Sequence, residues 1–162
     1  MIILKIIYHF KALVLKIILK MLHIFGGGKI TFGKNVTFRK GFSLMIDKTG
    51  KVIIGNNVFF NNYCSINANE QITIGDGTLF GENVKVYDHN HCYKDIDVPI
   101  KEQGFTTAPI SIGKHCWIGS NVVILKGVTI GDNCVIGAGC IIYKDVPANT
   151  VVVNKQKLLY KN

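Results

Sequence analysis

The groups best suited to moving a proton lie together in Tyr87-Asp88-His89-Asn90-His91-Cys92-Tyr93. An imidazole titrates near neutral pH, so it can accept a hydroxyl proton and pass it to a leaving group. His89 is the expected general base, with His91 as the alternative. Asp88, or a backbone carbonyl, would fix the His89 tautomer. A third histidine, His115, stands close in sequence. Zinc chemistry needs three converging ligands and an open fourth position, and no metal is expected here. The five cysteines, Cys64, Cys92, Cys116, Cys134 and Cys140, are odd in number and include no CxxC pair. They read as reduced thiols of a cytoplasmic protein.

These residues sit inside a strict period of six. Ile112, Ile118, Ile124, Ile130, Ile136 and Ile142 stand six apart, and four of them are followed by glycine. Two residues before each stands Ile110, Cys116, Val122, Val128, Cys134 or Cys140. Each turn therefore supplies two inward apolar positions and a corner of Gly, Asp and Asn, types that accept positive φ readily. Short strands and polar corners at a fixed period predict a parallel β-helix. The register runs back through Val86, Phe80 and Ile74, then Ile66, Phe60 and Ile54, then Leu44, Phe38 and Phe32. Three turns make a coil, so five coils are expected. The spacing breaks at Leu44 to Ile54, Ile66 to Ile74 and Val86 to Ile112, which are 10, 8 and 26 residues apart. Every break follows a third turn, so all three insertions should leave one corner of a triangular prism. The largest, the inserted loop 88–109, carries His89 at its root. Long ordered loops are more often functional than not. Cys64, Cys116, Cys134 and Cys140 all take the smaller inward position and read as core, not as nucleophiles.

Residues 1–25 have another pattern, apolar almost throughout but with lysines at 5, 11, 16 and 20. Those charges rule against a secretory core or a transmembrane span. On a helix, Lys5, His9, Lys16, Lys20 and His23 form one narrow polar stripe. Such an amphipathic α-helix suits a membrane interface, or it caps the open end of the β-helix or packs on a neighbouring subunit; the two readings are compatible. Gly26-Gly27-Gly28 marks the boundary. Three segments result: the helix 1–25, the β-helix 29–150 and a tail 151–162.

With 162 residues, one domain is expected. The net charge of +9 favours anionic partners. The lysines are scattered without interleaved aromatics, however, so nucleic acid is not expected. No flat ladder of threonine suggests a merely displayed surface.

The run Asp88-His89-Asn90-His91, followed by residues 109–124 and 127–139, resembles the hexapeptide-repeat acyltransferases, closest in pattern to galactoside and maltose acetyltransferases and to the O-acetyltransferases of capsule and lipopolysaccharide synthesis. The resemblance covers about residues 30–150 and implies an all-β fold, a left-handed parallel β-helix of about five coils, assembled as a homotrimer. It further implies acetyl transfer from acetyl-CoA to a sugar hydroxyl, with the loop histidine, here His89, deprotonating that hydroxyl. By the same resemblance Ser120 contributes near the thioester oxygen, and Trp117 lies near the pantetheine arm. Ala138 lines the CoA channel and Lys144 meets its phosphates, as Lys157, with Lys155, would from the tail. Asn61, beside Asn62, matches an acceptor-binding asparagine, and His91 and Asp88 join it around the carbohydrate acceptor. The tail departs from the family, because it lacks the usual Gly-x-Pro segment. N-acetylation of an amino sugar nucleotide is the nearest alternative, followed by a gamma carbonic anhydrase-like enzyme using His89, His91 and His115. The lysine-rich helix favours a glycan acceptor at the inner face of the membrane.

Overall fold

The computed structural model of the protein describes residues 27–155 together with residues 10, 13, 14, 16–19 and 21. From Lys29 the chain winds as a triangular β-helix. The first coil is β1 (Lys29–Phe32), β2 (Thr37–Phe38) and β3 (Ser43–Ile46). The second is β4 (Lys51–Ile54), β5 (Phe59–Phe60) and β6 (Ser65–Ala68), and the third is β7 (Gln71–Ile74), β8 (Leu79–Phe80) and β9 (Lys85–Tyr87). An inserted ribbon follows, β10 (His89–His91) and β11 (Phe105–Thr107). The fourth coil is β12 (Ile110–Ile112), β13 (Trp117–Ile118) and β14 (Val123–Ile124). The fifth is β15 (Thr129–Ile130), β16 (Val135–Ile136) and β17 (Ile141–Ile142), with β18 (Val151–Val152) beginning another turn.

Each strand pairs in parallel with its counterpart one coil away, which gives three faces. The first face is β1-β4-β7-β12-β15, the second β2-β5-β8-β13-β16-β18 and the third β3-β6-β9-β14-β17. The six-residue register holds throughout. Ile54, Ile74, Ile112 and Ile130 stack down the first face, Phe60, Phe80, Ile118 and Ile136 down the second, and Ile66, Val86 and Ile124 down the third, all essentially solvent-free. Full burial of one such side chain contributes about 1.5–3 kcal/mol. The lower core is aromatic: Phe38 stacks on Phe60 with centroids 5.5 Å apart, and Phe60 on Phe80 at 4.6 Å. Thr78 is the one inward polar residue among these turns, and it is satisfied. Its Oγ1 donates to the Gly113 carbonyl at 2.9 Å and accepts the Cys116 N–H at 3.2 Å. The four core cysteines are buried where the period places them.

The corners close as their sequence predicts. At the corner between the first and second faces, Asn35, Asn57, His115, Asn133 and Asn149 take φ between 54° and 60°, and Gly77 takes 68°. A side chain at Gly77 would also collide with the His115 ring above it. All three insertions leave the corner between the third and first faces, after β3, β6 and β9.

Most of the proposed helix 1–25, including Lys5, His9, Lys20 and His23 of its polar stripe, lies outside the described residues, as does Lys157. The described residues between 10 and 21 are helical. Leu19 is buried and the Lys16 ammonium lies 5.9 Å from the centre of the Phe32 ring. At Lys16, therefore, the polar stripe faces the first coil, and the apolar side is the one turned outward.

Candidate active site

The insertion after β9 is ordered at its neck. Its strands β10 and β11 pair antiparallel, His89 opposite Thr107 and His91 opposite Phe105, and a short 3₁₀ turn at Ile100–Glu102 lies between them. A ribbon alternates its side chains, so His89 and His91 share a face. Both rings flank Phe105, with centroids 5.1 Å and 4.4 Å away.

Asp88 is wholly buried at the root of the ribbon. Its Oδ1 accepts the Asn69 N–H and its Oδ2 the Glu70 N–H, both at 2.8 Å. The same Oδ1 lies 3.2 Å from His89 Nδ1. A carboxylate with those bonds can only accept, so Nδ1 carries the proton and Nε2 keeps its lone pair. Among the described residues no group bonds Nε2. The expectation that Asp88 touches the acceptor is corrected here: it is wholly buried and bonded to Asn69, Glu70 and His89. His91 is exposed and has no carboxylate behind it. His89 borders a cavity of about 330 Å³ lined by Met45, Asp47, Asn67, Asn69 and Phe105. Carboxylate, amide and aromatic groups around one imidazole form a pocket suited to a polyhydroxylated molecule with an apolar ring face. Beyond the ribbon, His91, Tyr93, Gln103 and Lys126 border a second cavity of about 640 Å³. The sequence had flagged neither Phe105 nor the Asn67 and Asn69 pair. The 8-residue spacing after Ile66 was the available signal for the asparagines.

The remaining candidates divide between two places. Lys144 stands at the same corner as His89, in the fifth coil, with its ammonium 5.7 Å from the Tyr143 ring centre. Trp117, Ser120, Ala138 and Asn61 do not. Trp117 points out from the second face and is 57% exposed. It belongs to an apolar ladder in which Phe59, Leu79, Trp117, Val135 and Val151 lie in register. Asn61, Ser120 and Ala138 occupy the corner between the second and third faces, in the second, fourth and fifth coils. Ser120 Oγ accepts the Glu82 N–H at 3.1 Å, and Asn61 Oδ1 accepts from Arg39 Nη1 at 3.1 Å and from the Asn62 N–H at 2.9 Å. Within one protomer the third face separates this group from His89. His115 is elsewhere again, at the corner between the first and second faces, so the histidine trio considered for a metal does not converge. Among the described residues no cluster of His, Cys, Asp and Glu has metal-holding geometry. The core thiols are equally unsuited to chemistry, since burial pushes both Cys64 and Cys116 above the ordinary thiol range.

The described geometry has close counterparts. A family model for the hexapeptide repeat of succinyl-transferase matches residues 109–144. WbbJ of Escherichia coli K12, assigned to lipopolysaccharide biosynthesis as an O-acetyl transferase, is 34% identical over 134 residues, 77% of this chain and 67% of that protein. WcaF of the same organism, assigned to colanic acid biosynthesis as an acetyltransferase, is 30% identical over 91% of this chain and 71% of its own length. A Vibrio cholerae hexapeptide-repeat acetyltransferase solved with acetyl coenzyme A superposes with a TM-score of 0.65 at 32% identity, over 75% of this chain and 64% of that one. The chain thus spans about two-thirds of the length of each of these proteins. On this identity and coverage, the chain belongs to the hexapeptide-repeat acetyltransferase family.

Proposed function

We propose that the protein moves an acetyl group from acetyl-CoA to a sugar hydroxyl in the biosynthesis of a bacterial surface polysaccharide, with His89 as general base. One observation supports the base assignment: buried Asp88 lies 3.2 Å from His89 Nδ1, and His89 borders the cavity lined by Asn67, Asn69, Asp47 and Phe105. WbbJ and WcaF, assigned to lipopolysaccharide and colanic acid synthesis, support the acceptor class.

In the reaction, Nε2 takes the proton of the sugar hydroxyl as its oxygen attacks the thioester carbonyl carbon. The new C–O bond forms, the C–S bond breaks, and the imidazolium returns the proton to the departing thiolate. Asp88 keeps the imidazole in the required tautomer and balances its charge while it is protonated. Phe105 offers a flat apolar surface to the sugar ring, and Asn67 and Asn69 offer amides to its hydroxyls.

The outer surfaces fit acetyl-CoA. The second-face ladder around Trp117 gives an extended thioester arm an apolar strip, and small residues at Gly137, Ala138 and Gly139 leave its edge open. Ser120 at that corner lies where a hydroxyl could face the developing oxyanion. Lys144, and Lys126 one coil nearer His89, supply charge for phosphates at the other corner. These two halves stand at different corners of one prism, so they meet only when the second-face corner of one subunit lies beside the His89 corner of its neighbour. The exposed apolar ladder is suited to such contact, and a homotrimer closes three identical sites. An acetyl-CoA substrate and reduced thiols together support a cytoplasmic location.

Free-thiol release from acetyl-CoA, followed with free, nucleotide-linked and lipid-linked sugars, tests the reading. Wild type should show acceptor-dependent release with an acetylated product by mass. His89→Ala should lower it by roughly a hundred- to ten-thousandfold. Full activity in His89→Ala would move the base to His91, and no acetyl-CoA binding at all would overturn the enzyme.

A further inference from the structure

The charge of the chain is concentrated at one end. Residues 1–46 hold eight of the 19 basic residues and none of the 10 acidic ones, the first of which is Asp47. They carry +8 of the net +9, and the remaining 116 residues are nearly neutral. The described part of this segment is the helical residues between 10 and 21 and the first coil. Lys29, Lys34, Arg39 and Lys40 are all exposed, and they are spread over the first face and two corners of that coil. None is neutralised. Among the described residues no carboxylate lies within ion-pair distance of these four, while Arg39 and Lys40 lie over the rings of Phe59 and Tyr63.

The helix sits on this same basic end. Lys16 lies over Phe32 of the first coil, and Leu19 is buried. Phe10, Leu13, Val14, Ile17, Ile18 and Met21 are then left 40–66% exposed. Their spacing of 3, 1, 3, 1 and 3 makes one continuous apolar stripe along a helix. An apolar stripe bordered by uncompensated cations fits a surface that is anionic outside and apolar beneath. A second copy of the chain would meet this end with the same charge.

We infer that the N-terminal end of the β-helix, helix and first coil together, is a docking surface for an anionic lipid bilayer. The helix lies in the headgroup region with the stripe of Leu13 and Ile17 toward the acyl chains, and the basic rim of the first coil meets the lipid phosphates. His89 leaves the third coil, two steps of about 4.8 Å above the first, so its cavity opens close to the lipid surface. That position suits an acceptor sugar carried on a lipid. The docking surface itself is independent of the catalytic reading.

Flotation of the full-length protein with vesicles of phosphatidylcholine, alone or mixed with phosphatidylglycerol, tests the surface without acetyl-CoA. Binding is expected to the mixed vesicles only, and raised salt should weaken it. Each cationic side chain near the surface is worth roughly fivefold in affinity, so the triple variant Lys29→Gln, Lys34→Gln, Lys40→Gln should bind roughly a hundredfold more weakly. Leu13→Gln with Ile17→Gln should also lose binding. Thermal unfolding confirms that both variants are folded, and thiol release with a soluble sugar should match wild type. Failure to bind mixed vesicles, equal binding to pure phosphatidylcholine, or undiminished binding by either folded variant would overturn the proposal. A wild type that floats but releases no thiol would sink the catalytic reading and leave this one standing.

Discussion

Replacing Asp88 by Asn removes one charge and almost no volume, and its consequences can be worked from three contacts. The carboxylate accepts from Asn69 N, Glu70 N and His89 Nδ1. An amide has one accepting oxygen and one donating nitrogen. With its oxygen toward Asn69 and His89, its nitrogen confronts the Glu70 N–H. Turned over, it satisfies Glu70, confronts the Asn69 N–H and donates to His89 Nδ1. That second arrangement puts the ring proton on Nε2, where the base must accept one. Each arrangement leaves one part-buried N–H facing a donor, which costs about 1–3 kcal/mol, and weakens the bonds that had a charged partner. A total near 3 kcal/mol lowers Tm by about 6–12 °C in a domain of this size. Activity should fall further than stability explains. Misplacing the tautomer and removing the counter-charge of the imidazolium should lower kcat by about a hundredfold or more, as it does when a triad aspartate is replaced. KM for acetyl-CoA should stay within about twofold, because a buried Asp88 touches no ligand. Thiol release measured well below the variant's Tm, with both substrates varied, separates these effects. A variant with lowered Tm and kcat within about threefold of wild type would show that Asp88 only holds the corner together, and the tautomer argument would fail.

The other predictions concern assembly and acid. Leu79→Lys with Trp117→Lys places two charges in the apolar ladder of the second face. Light scattering should then give a monomer, and acetyl transfer should vanish because the two corners of the site no longer meet; a monomer with wild-type turnover would refute the shared site. Asp76 has its carboxyl held below the ordinary range, chiefly by the Asn56 backbone N–H at 2.7 Å and then by the Asn56 amide at 3.2 Å. A depressed folded pKa gives stability that is present above the ordinary carboxylate range and lost as pH falls through the lower folded value. The Tm gap between wild type and Asp76→Ala should be widest near neutrality and close in strong acid. A gap independent of pH would assign the loss to something other than the charge.

The six-residue period was legible because every inward position is a packing requirement, and a slip of one residue would put Ile118 or Ile124 in water. Counting the breaks also located the elaborated corner, since the period tells which face each residue is on. The same count, carried through, assigns Ser120 and Asn61 to another corner and His115 to a third; nearness in sequence to the His89 loop obscured this. Phe105 was illegible for a different reason. It reaches His91 through the antiparallel pairing of the ribbon, 14 residues along the chain and outside any period. The helix showed its stripe but not its direction. A polar stripe is ordinarily turned to water, yet Lys16 lies over Phe32, a long side chain covering an aromatic ring at an otherwise open end.

The small insertion in the second coil shows how the scaffold and the chemistry are joined. Its 8-residue spacing adds two residues to the corner, and Asn69 and Glu70 present their N–H groups to Asp88 from there. A corner of regular length presents one such N–H to the next coil, as Asn56 does to Asp76 and Lys114 to Asp132. By lengthening one corner, the second coil frees two donors beneath the point where the third coil opens into its loop. Those donors fix Asp88, Asp88 fixes His89, and the ribbon beyond is free to vary with the acceptor. His89 is therefore tied to the β-helix through a carboxylate held by the backbone of the preceding coil. The cavity beside it is lined partly by coil residues, Asp47, Asn67 and Asn69, and partly by Phe105 of the ribbon, whose length the core does not constrain.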